Sequence, residues 1–504
     1  MLELLLNNNF LSSILAFALI LIPAIIIHEL GHFFAAKIIG VNVLEFGVGF
    51  PPRMMRLFMW GETEFTLNWL PIGGFVRPLG EDMIGPVGDD SDVPVHEDDD
   101  ETYAEEKPKK SAYISERDEL MVRGVPEEKL LSVNQAKPWP RIFFMAAGAL
   151  ANFVSAIFLF IIAALLGIPI EVGARVQIVD IPQGSVFDRA EVEEDDAIEL
   201  INGEYFRTSE EFFATWQSLQ GEDVTLTMRH ADSEEGEPGE QYDITVQPEA
   251  NSVRPYVLVV AVVEDAPAHL AGILPGDLIS AINGESLTMP SGVAQVIAAT
   301  QEYAGTNMML TIIREGQTLD LVLVPRVTPT KEQGRIGIAI QEIFETNDNV
   351  RFTNANPQME LIPQPFDTAV QYGFARVWGT MKMMVSIPAQ IIDGTISPEE
   401  ARPVSIVGIS QIGGQFLQRS IREGSPSLIL EFLALISIFL GATNLLPFPP
   451  LDGGRIVFVL IEIVRGKPVP IHIENAVYRI GIVLLLGLGV VIIIYDLLNP
   501  ISLG

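Results

Sequence analysis

His28-Glu29-Leu30-Gly31-His32 sits inside the apolar stretch 14–36, which places two imidazoles and a carboxylate within a segment long enough to cross a membrane. At about 1.5 Å per helical residue the stretch covers ~34 Å, against ~30 Å of hydrocarbon. Imidazoles four residues apart share one face of a helix and can grip a single zinc ion, while Glu29 between them can take a proton from attacking water. Each ionisable group near the bilayer centre costs about 2.5 to 3.5 kcal/mol on insertion scales, so His28, Glu29 and His32 together need a compensating partner. The alternative is that these polar residues only hydrogen-bond a neighbouring helix. With 6 His in 504 residues, a chance pair at this spacing around a Glu is rare.

Composition narrows the field. The chain is 48% hydrophobic, has no Cys, and sets 31 Lys and Arg against 65 Asp and Glu for a net charge of −34. Disulfides and thiolate metal sites are excluded, and nucleic acid is a poor partner because no basic stripe is available for phosphates. Much of the acidity lies in residues 85–106, including Asp98-Asp99-Asp100-Glu101, which read as a solvated, disordered insert.

Three further stretches, 142–168, 432–446 and 480–495, are candidate membrane helices, the last two extending into their flanks. No Lys or Arg precedes residue 37, so the first helix lacks a cleavable-signal pattern and is expected to stay attached. Lys37, Arg53, Arg56, Lys137 and Arg141 flank one loop, and Arg455, Arg465 and Lys467 another; the positive-inside bias makes both cytoplasmic. The termini and residues 169–427 are then external, and His28 lies in the cytoplasmic half of the bilayer.

The external part contains a repeat. The stretch from Asp196 through Ile201-Asn202-Gly203-Glu204 recurs 81 positions later, from Asp277 through Ile282-Asn283-Gly284-Glu285, and Ala190 and Val192 match Ala271 and Ile273. Two copies of one small domain follow, each with a short helix, a strand and a tight Asn-Gly turn. Ala271-Gly272-Ile273-Leu274-Pro275-Gly276-Asp277 before that strand resembles bacterial PDZ domains, which capture extended chain ends by adding a strand to a sheet edge. The first copy departs from the pattern, with Glu191 and Asp195 where the second has Gly272 and Gly276. No PDZ ligand-binding residue is assigned, and spacers or steric shields are an equal reading.

Asn444-Leu445-Leu446-Pro447-Phe448-Pro449-Pro450-Leu451-Asp452-Gly453-Gly454 follows the third apolar stretch. Three prolines must break the helix at the membrane edge, which lets Asp452 turn toward a neighbouring helix. Its carboxylate added to His28 and His32 leaves a fourth zinc position for water. With both halves quoted, and with the GALANF stretch around Asn152, the chain resembles the site-2 protease family of intramembrane metalloproteases, within it the bacterial group that carries two PDZ domains. The resemblance covers nearly the whole length. It implies that His28, His32 and Asp452 hold one zinc ion per chain, that Glu29 is general base and acid, and that Asn444 contacts the substrate backbone. Residues 62–69 alternate with period two up to Pro71-Ile72-Gly73-Gly74, and the family's counterpart is a re-entrant β-loop that pairs with substrate. Phe65, Leu67, Gly73 and Gly74 are therefore substrate-binding candidates.

The expected fold is a polytopic α-helical membrane protein of about four spans with two inserted α+β PDZ domains and a re-entrant β-loop. Its expected division is 1–40, first helix; 41–84, β-loop; 85–138, acidic insert; 139–168, second helix; 169–250 and 251–328, PDZ domains. There follow 329–427, an external juxtamembrane segment with amphipathic helices; 428–456, third helix; 457–478, cytoplasmic linker; and 479–498, fourth helix. The resemblance implies a bacterial inner-membrane zinc endopeptidase that cuts a single-pass protein, an anti-sigma factor or a remnant signal peptide, after an upstream site-1-type protease has acted. A metal transporter would spread ionisable residues through several helices, and a silent PDZ scaffold would not need Glu29. A PDZ-bearing serine protease lacks its Gly-x-Ser-x-Gly element here.

Overall fold

The computed structural model describes residues 8–80, 116–231, 239–248, 252–328, 334–392, 396 and 402–499; the acidic stretch 85–106 lies outside them. The chain divides into two units, one built from residues up to 168 and from 362 onward, the other from 169–361.

In the first unit, helix α1 (Asn9–Ile39) opens on Asn8, whose side chain accepts from Leu11 N–H, and closes at Gly40 with φ 82°, a left-handed cap that favours glycine. The cap delivers the chain into a β-loop of β1 (Val43–Trp60) and β2 (Thr63–Pro78). Both strands fold back, so residues 43–48 pair with 74–78 on one side and 64–67 on the other, while 53–60 pair with 63–68. The order across this small sheet is 53–60, 63–68, 43–48, 74–78. Phe65 stacks between Phe46 and Phe58, with ring centroids 5.1 and 4.5 Å away. Helix α2 (Glu116–Val122) is followed by Arg123, which donates to the carbonyls of Leu44 (2.7 Å) and Glu62 (2.8 Å) and ties the loop down. Helix α3 (Pro138–Leu166) then runs against α1. A Cβ at Gly31 would stand 2.3 Å from the Ala147 carbonyl oxygen, so the two backbones approach this closely only because Gly31 has no side chain.

The second unit shows the repeat as structure. Strands β3 (Ile168–Asp180) and β4 (Ala197–Ile201), helix α4 (Ser209–Ser218), and strands β5 (Val224–Arg229) and β6 (Gln241–Val246) form the first copy. Strands β7 (Arg254–Val262) and β8 (Leu278–Ile282), helix α5 (Gly292–Glu302), and strands β9 (Met308–Arg314) and β10 (Gln317–Leu323) form the second. Glu191 and Asp195 adopt φ 57° and 70°, where Gly272 and Gly276 have 85° and 93°. The first copy thus keeps the same left-handed turns without glycine, at roughly 1 kcal/mol each.

Residues 329–427, expected to supply amphipathic helices, contain two helices, Phe366–Ile392 and Ile406–Arg422, and ahead of them two more strands that were not expected, β11 (Ile338–Glu345) and β12 (Arg351–Ile362). Strand β11 pairs with β7 of the second copy and β12 with β3 of the first, giving one sheet in the order β10-β9-β8-β7-β11-β12-β3-β4-β5-β6, with two-residue strands attached to β4 and β8. Burial explains the placement: Ile336 belongs to the second copy's core, whereas Phe344, Val350 and Phe352 complete the first copy's core with Phe212, Phe213 and Trp216.

Back in the first unit, helix α6 (Phe366–Ile392) packs along α3, where a Cβ at Gly373 would lie 2.8 Å from Ile161 Cγ1. Helix α7 (Ile406–Arg422) bonds α1 through Gln418 to Asn9 and Ser12. Helix α8 (Ser427–Asn444) is followed by the prolines, then α9 (Asp452–Arg465) and α10 (Ile471–Leu498); Ser405 N–H, just before α7, donates to Asp496 of α10 at 2.7 Å. Among the described residues, four helices are long and apolar enough to cross a membrane: Asn9–Ile39, Pro138–Leu166, Ser427–Asn444 and His472–Leu498.

Candidate metal centre

His28 and His32 point from α1 with their Nε2 atoms 3.2 Å apart. Asp452, the first residue of α9, places Oδ2 3.1 Å from one and 3.3 Å from the other. Three donor atoms thus form a nearly equilateral triangle. A tetrahedral zinc with bonds of about 2.0–2.1 Å has ligand-to-ligand edges of about 3.3–3.4 Å, so the donor set fits zinc and leaves a fourth position open.

Local chain geometry explains how Asp452 arrives, 420 residues after His32. The chain leaves α8 at Asn444, and prolines 447, 449 and 450 cannot continue it. Gly453 and Gly454 then let α9 start against that turn: a Cβ at Gly453 would fall 2.3 Å from the carbonyl oxygens of Leu445 and Leu446. An ion pair of 2.8 Å between Arg141 of α3 and Glu462 fixes the far end of α9.

Groups behind the donors set their orientation. His32 Nδ1 lies 2.9 Å from the Phe144 carbonyl oxygen, which can only accept, so the ring proton is on Nδ1 and Nε2 is free to ligate. His28 Nδ1 lies 3.3 Å from the Asn152 amide, and its Nε2 3.4 Å from that of Asn444. Gly148 keeps the space beside both rings: a Cβ there would stand 2.4 Å from His32 Nε2 and 2.7 Å from His28 Nε2.

Of the residues singled out in the sequence, the structure brings His28, His32, Asp452 and Asn444 together, with Glu29 between the histidines on the same helix. A Cβ at Gly74 would lie 3.3 Å from Glu29 Cγ, so the outer segment 74–78 runs beside that carboxylate. Gly73 precedes it with φ 99°. Phe65 and Leu67 do not join them. Phe65 is buried in its aromatic stack, Leu67 is paired on both sides, and segment 43–48 separates both from 74–78. Asn152, Gly148 and the Phe144 carbonyl carried no assigned role in the sequence. A lone Asn in an otherwise apolar span, with Gly four residues before it, was the available signal for two of them; a backbone carbonyl leaves none.

Comparison with known proteins accords with this geometry. The profile of peptidase family M50 matches residues 16–488. The regulator of sigma-E protease RseP of Escherichia coli K12 is 26% identical over 95% of this chain and 98% of its own length. The regulator of sigma E protease of Haemophilus influenzae is 27% identical over 97% of this chain and 100% of its own. A Vibrio cholerae protein whose name describes a zinc metalloprotease is 26% identical over 97% of this chain and 98% of its own.

Proposed function

The chain belongs to peptidase family M50 and is a zinc metalloprotease with, among the described residues, four helices fit to span a membrane, and from that premise we propose that it cuts a single-pass membrane protein within or beside its spanning helix. The observation that carries this reading is the convergence of His28 and His32, on a helix of that kind, with Asp452 at the start of α9, a donor set that suits one zinc ion per chain, with Glu29 beside a strand edge.

Held by His28, His32 and Asp452, a zinc ion would supply Lewis-acid polarisation of the scissile carbonyl and a more acidic attacking water. Glu29 takes the water proton and returns it to the leaving amine, so no covalent intermediate is needed. A helical substrate hides its peptide bonds; segment 74–78, paired only with 43–48 among the described residues, can hold an unwound stretch as an added strand beside Glu29. Asn444 holds the substrate backbone at the same point. Phe65 and Leu67 serve this role indirectly, by stiffening the loop.

The relatives named as regulators of sigma-E protease favour an anti-sigma factor as substrate, with a remnant signal peptide second, cut after an upstream protease has removed its external part. Basic residues at the helix ends favour a bacterial inner membrane with the metal toward the cytoplasm and the repeats and termini outside. The repeats are read as PDZ domains. In the second, α5 and β11 bound a cavity of about 310 Å³ lined by Val296, Ile297, Thr300, Ile336, Ile338 and Ile340, which supports capture of a chain end there. In the first, the aromatic side chains of α4 pack directly on Phe344 and Phe352, which favours a filtering or structural role. Zinc analysis together with cleavage of a membrane-spanning test substrate, with Glu29→Gln as control, tests the proposal. Zinc without cleavage in the unaltered protein would refute it.

A further inference from the structure

The metal centre holds one polar side chain that the chemistry above does not use. Asn152 of α3 is fully buried at 0% exposure, boxed in where a Cβ at Gly441 of α8 would come 3.3 Å from its own Cβ. Its Nδ2 faces His28 Nδ1 at 3.3 Å, while its Oδ1 is buried with no hydrogen-bond partner. Buried amide oxygens are rarely left unpaired.

In the arrangement present, Asn152 N–H donates to His28 Nδ1, which places the ring proton on Nε2, 3.1 Å from Asp452 Oδ2. Nε2 cannot ligate a metal in that tautomer. For it to do so the proton must sit on Nδ1, and Nδ1–H then needs an acceptor. Oδ1 is half a turn away about the Cβ–Cγ bond, a rotation that exchanges atoms of nearly equal size. His32 differs, because the Phe144 carbonyl accepts from Nδ1 permanently.

We infer that Asn152 is the positioning residue that sets His28 in its metal-binding tautomer, its amide turning Oδ1 onto Nδ1–H as Nε2 takes the ion. This rests on the metal reading above, and the test separates the two. Zinc affinity of the full-length protein is measured in detergent by competition with a chromogenic chelator, and the visible spectrum of the cobalt form is recorded. Asn152→Leu, equal in bulk but without an acceptor, is expected to bind zinc about 10- to 100-fold more weakly and to shift the cobalt bands. Asn152→Asp, which keeps the acceptor, is expected to restore affinity to within about threefold and the spectrum with it. Equal affinity in Asn152→Leu and the unaltered protein would overturn the inference, as would equal losses in both variants. If Asn152→Leu does not fold, Asn152→Asp decides alone: a loss beyond about tenfold overturns the inference, and near-native affinity supports it. Absence of zinc binding in the unaltered protein would instead overturn the metal reading.

Discussion

Gly148→Ala adds one methyl group at the most crowded point of the metal centre. The new carbon would stand 2.4 Å from His32 Nε2 and 2.7 Å from both Cε1 and Nε2 of His28. Contacts below about 3.4 Å are repulsive, so one or both rings must move by roughly 0.7 to 1 Å. Neither ring can swing freely, since Phe144 holds the one and Asn152 the other. Overpacking of this kind costs about 1–3 kcal/mol, and a displacement near 1 Å at a reacting centre can cost ~100-fold in rate. Gly148→Ala is therefore expected to weaken zinc binding at least about tenfold and to slow cleavage about 100-fold, with the melting temperature lowered by a few degrees. Gly487→Ala on α10 is the control, because a Cβ there meets nothing within 4 Å. The assay is chelator competition for zinc, then cleavage of a membrane-spanning reporter in reconstituted vesicles. Zinc affinity within twofold and cleavage within threefold of the unaltered protein would show that the rings have room the geometry denies them.

Four further outcomes are expected. Glu29→Gln should keep zinc, measured by metal analysis, and lose cleavage by at least about 100-fold, the scale of general-base removal. Asp452→Ala should lose zinc during mild chelation as well as activity, since two histidines alone do not hold a catalytic zinc; full retention would assign Asp452 to the turn. Excising 169–361, which the bond from Gln364 N–H to the Ala164 carbonyl (2.8 Å) allows to be closed with a short linker, should permit cleavage of substrates that still carry an external domain. Loss of cleavage on pre-trimmed substrate, with zinc intact, would mean that the repeats deliver substrate. Phe344→Ala, at a fully buried position, should destabilise the first repeat by about 3–5 kcal/mol although it lies in β11; hydrogen exchange that quickens only in the second repeat would contradict this.

The convergence of the candidate donors was legible because chemistry imposes their spacing: His28 and His32 share a helix face by periodicity, and a proline run forces the chain to turn before Asp452. The membrane helices were legible from bulk apolarity. What the sequence hid depends on partners far along the chain. The period-two pattern at residues 62–69 suggested the substrate edge, yet that strand is interior, and a pattern of alternation cannot say which edge of a strand is free. The isoleucines at 336, 338 and 340 alternate well enough for a strand, but the strands they and their successors join lie about 80 and 180 residues earlier. Asn152 was visible as a polar residue in an apolar span, whereas its role depends on which ring nitrogen it meets.

The hairpin of β11 and β12 also bears on the order in which the chain can fold. The first repeat is synthesised first, but its core lacks Phe344, Val350 and Phe352 until residues near 352 have emerged, by which time the whole second repeat is available. The first copy cannot close as a separate cassette in sequence order, whereas the core of the second is drawn from the contiguous stretch 257–340. Pairing between β3 and β12 must bridge some 180 residues, and contacts of that separation form late and slowly. A nascent chain would therefore expose the aromatic face of α4 for most of the synthesis of this unit, and the first repeat should gain protection from proteolysis no earlier than the second.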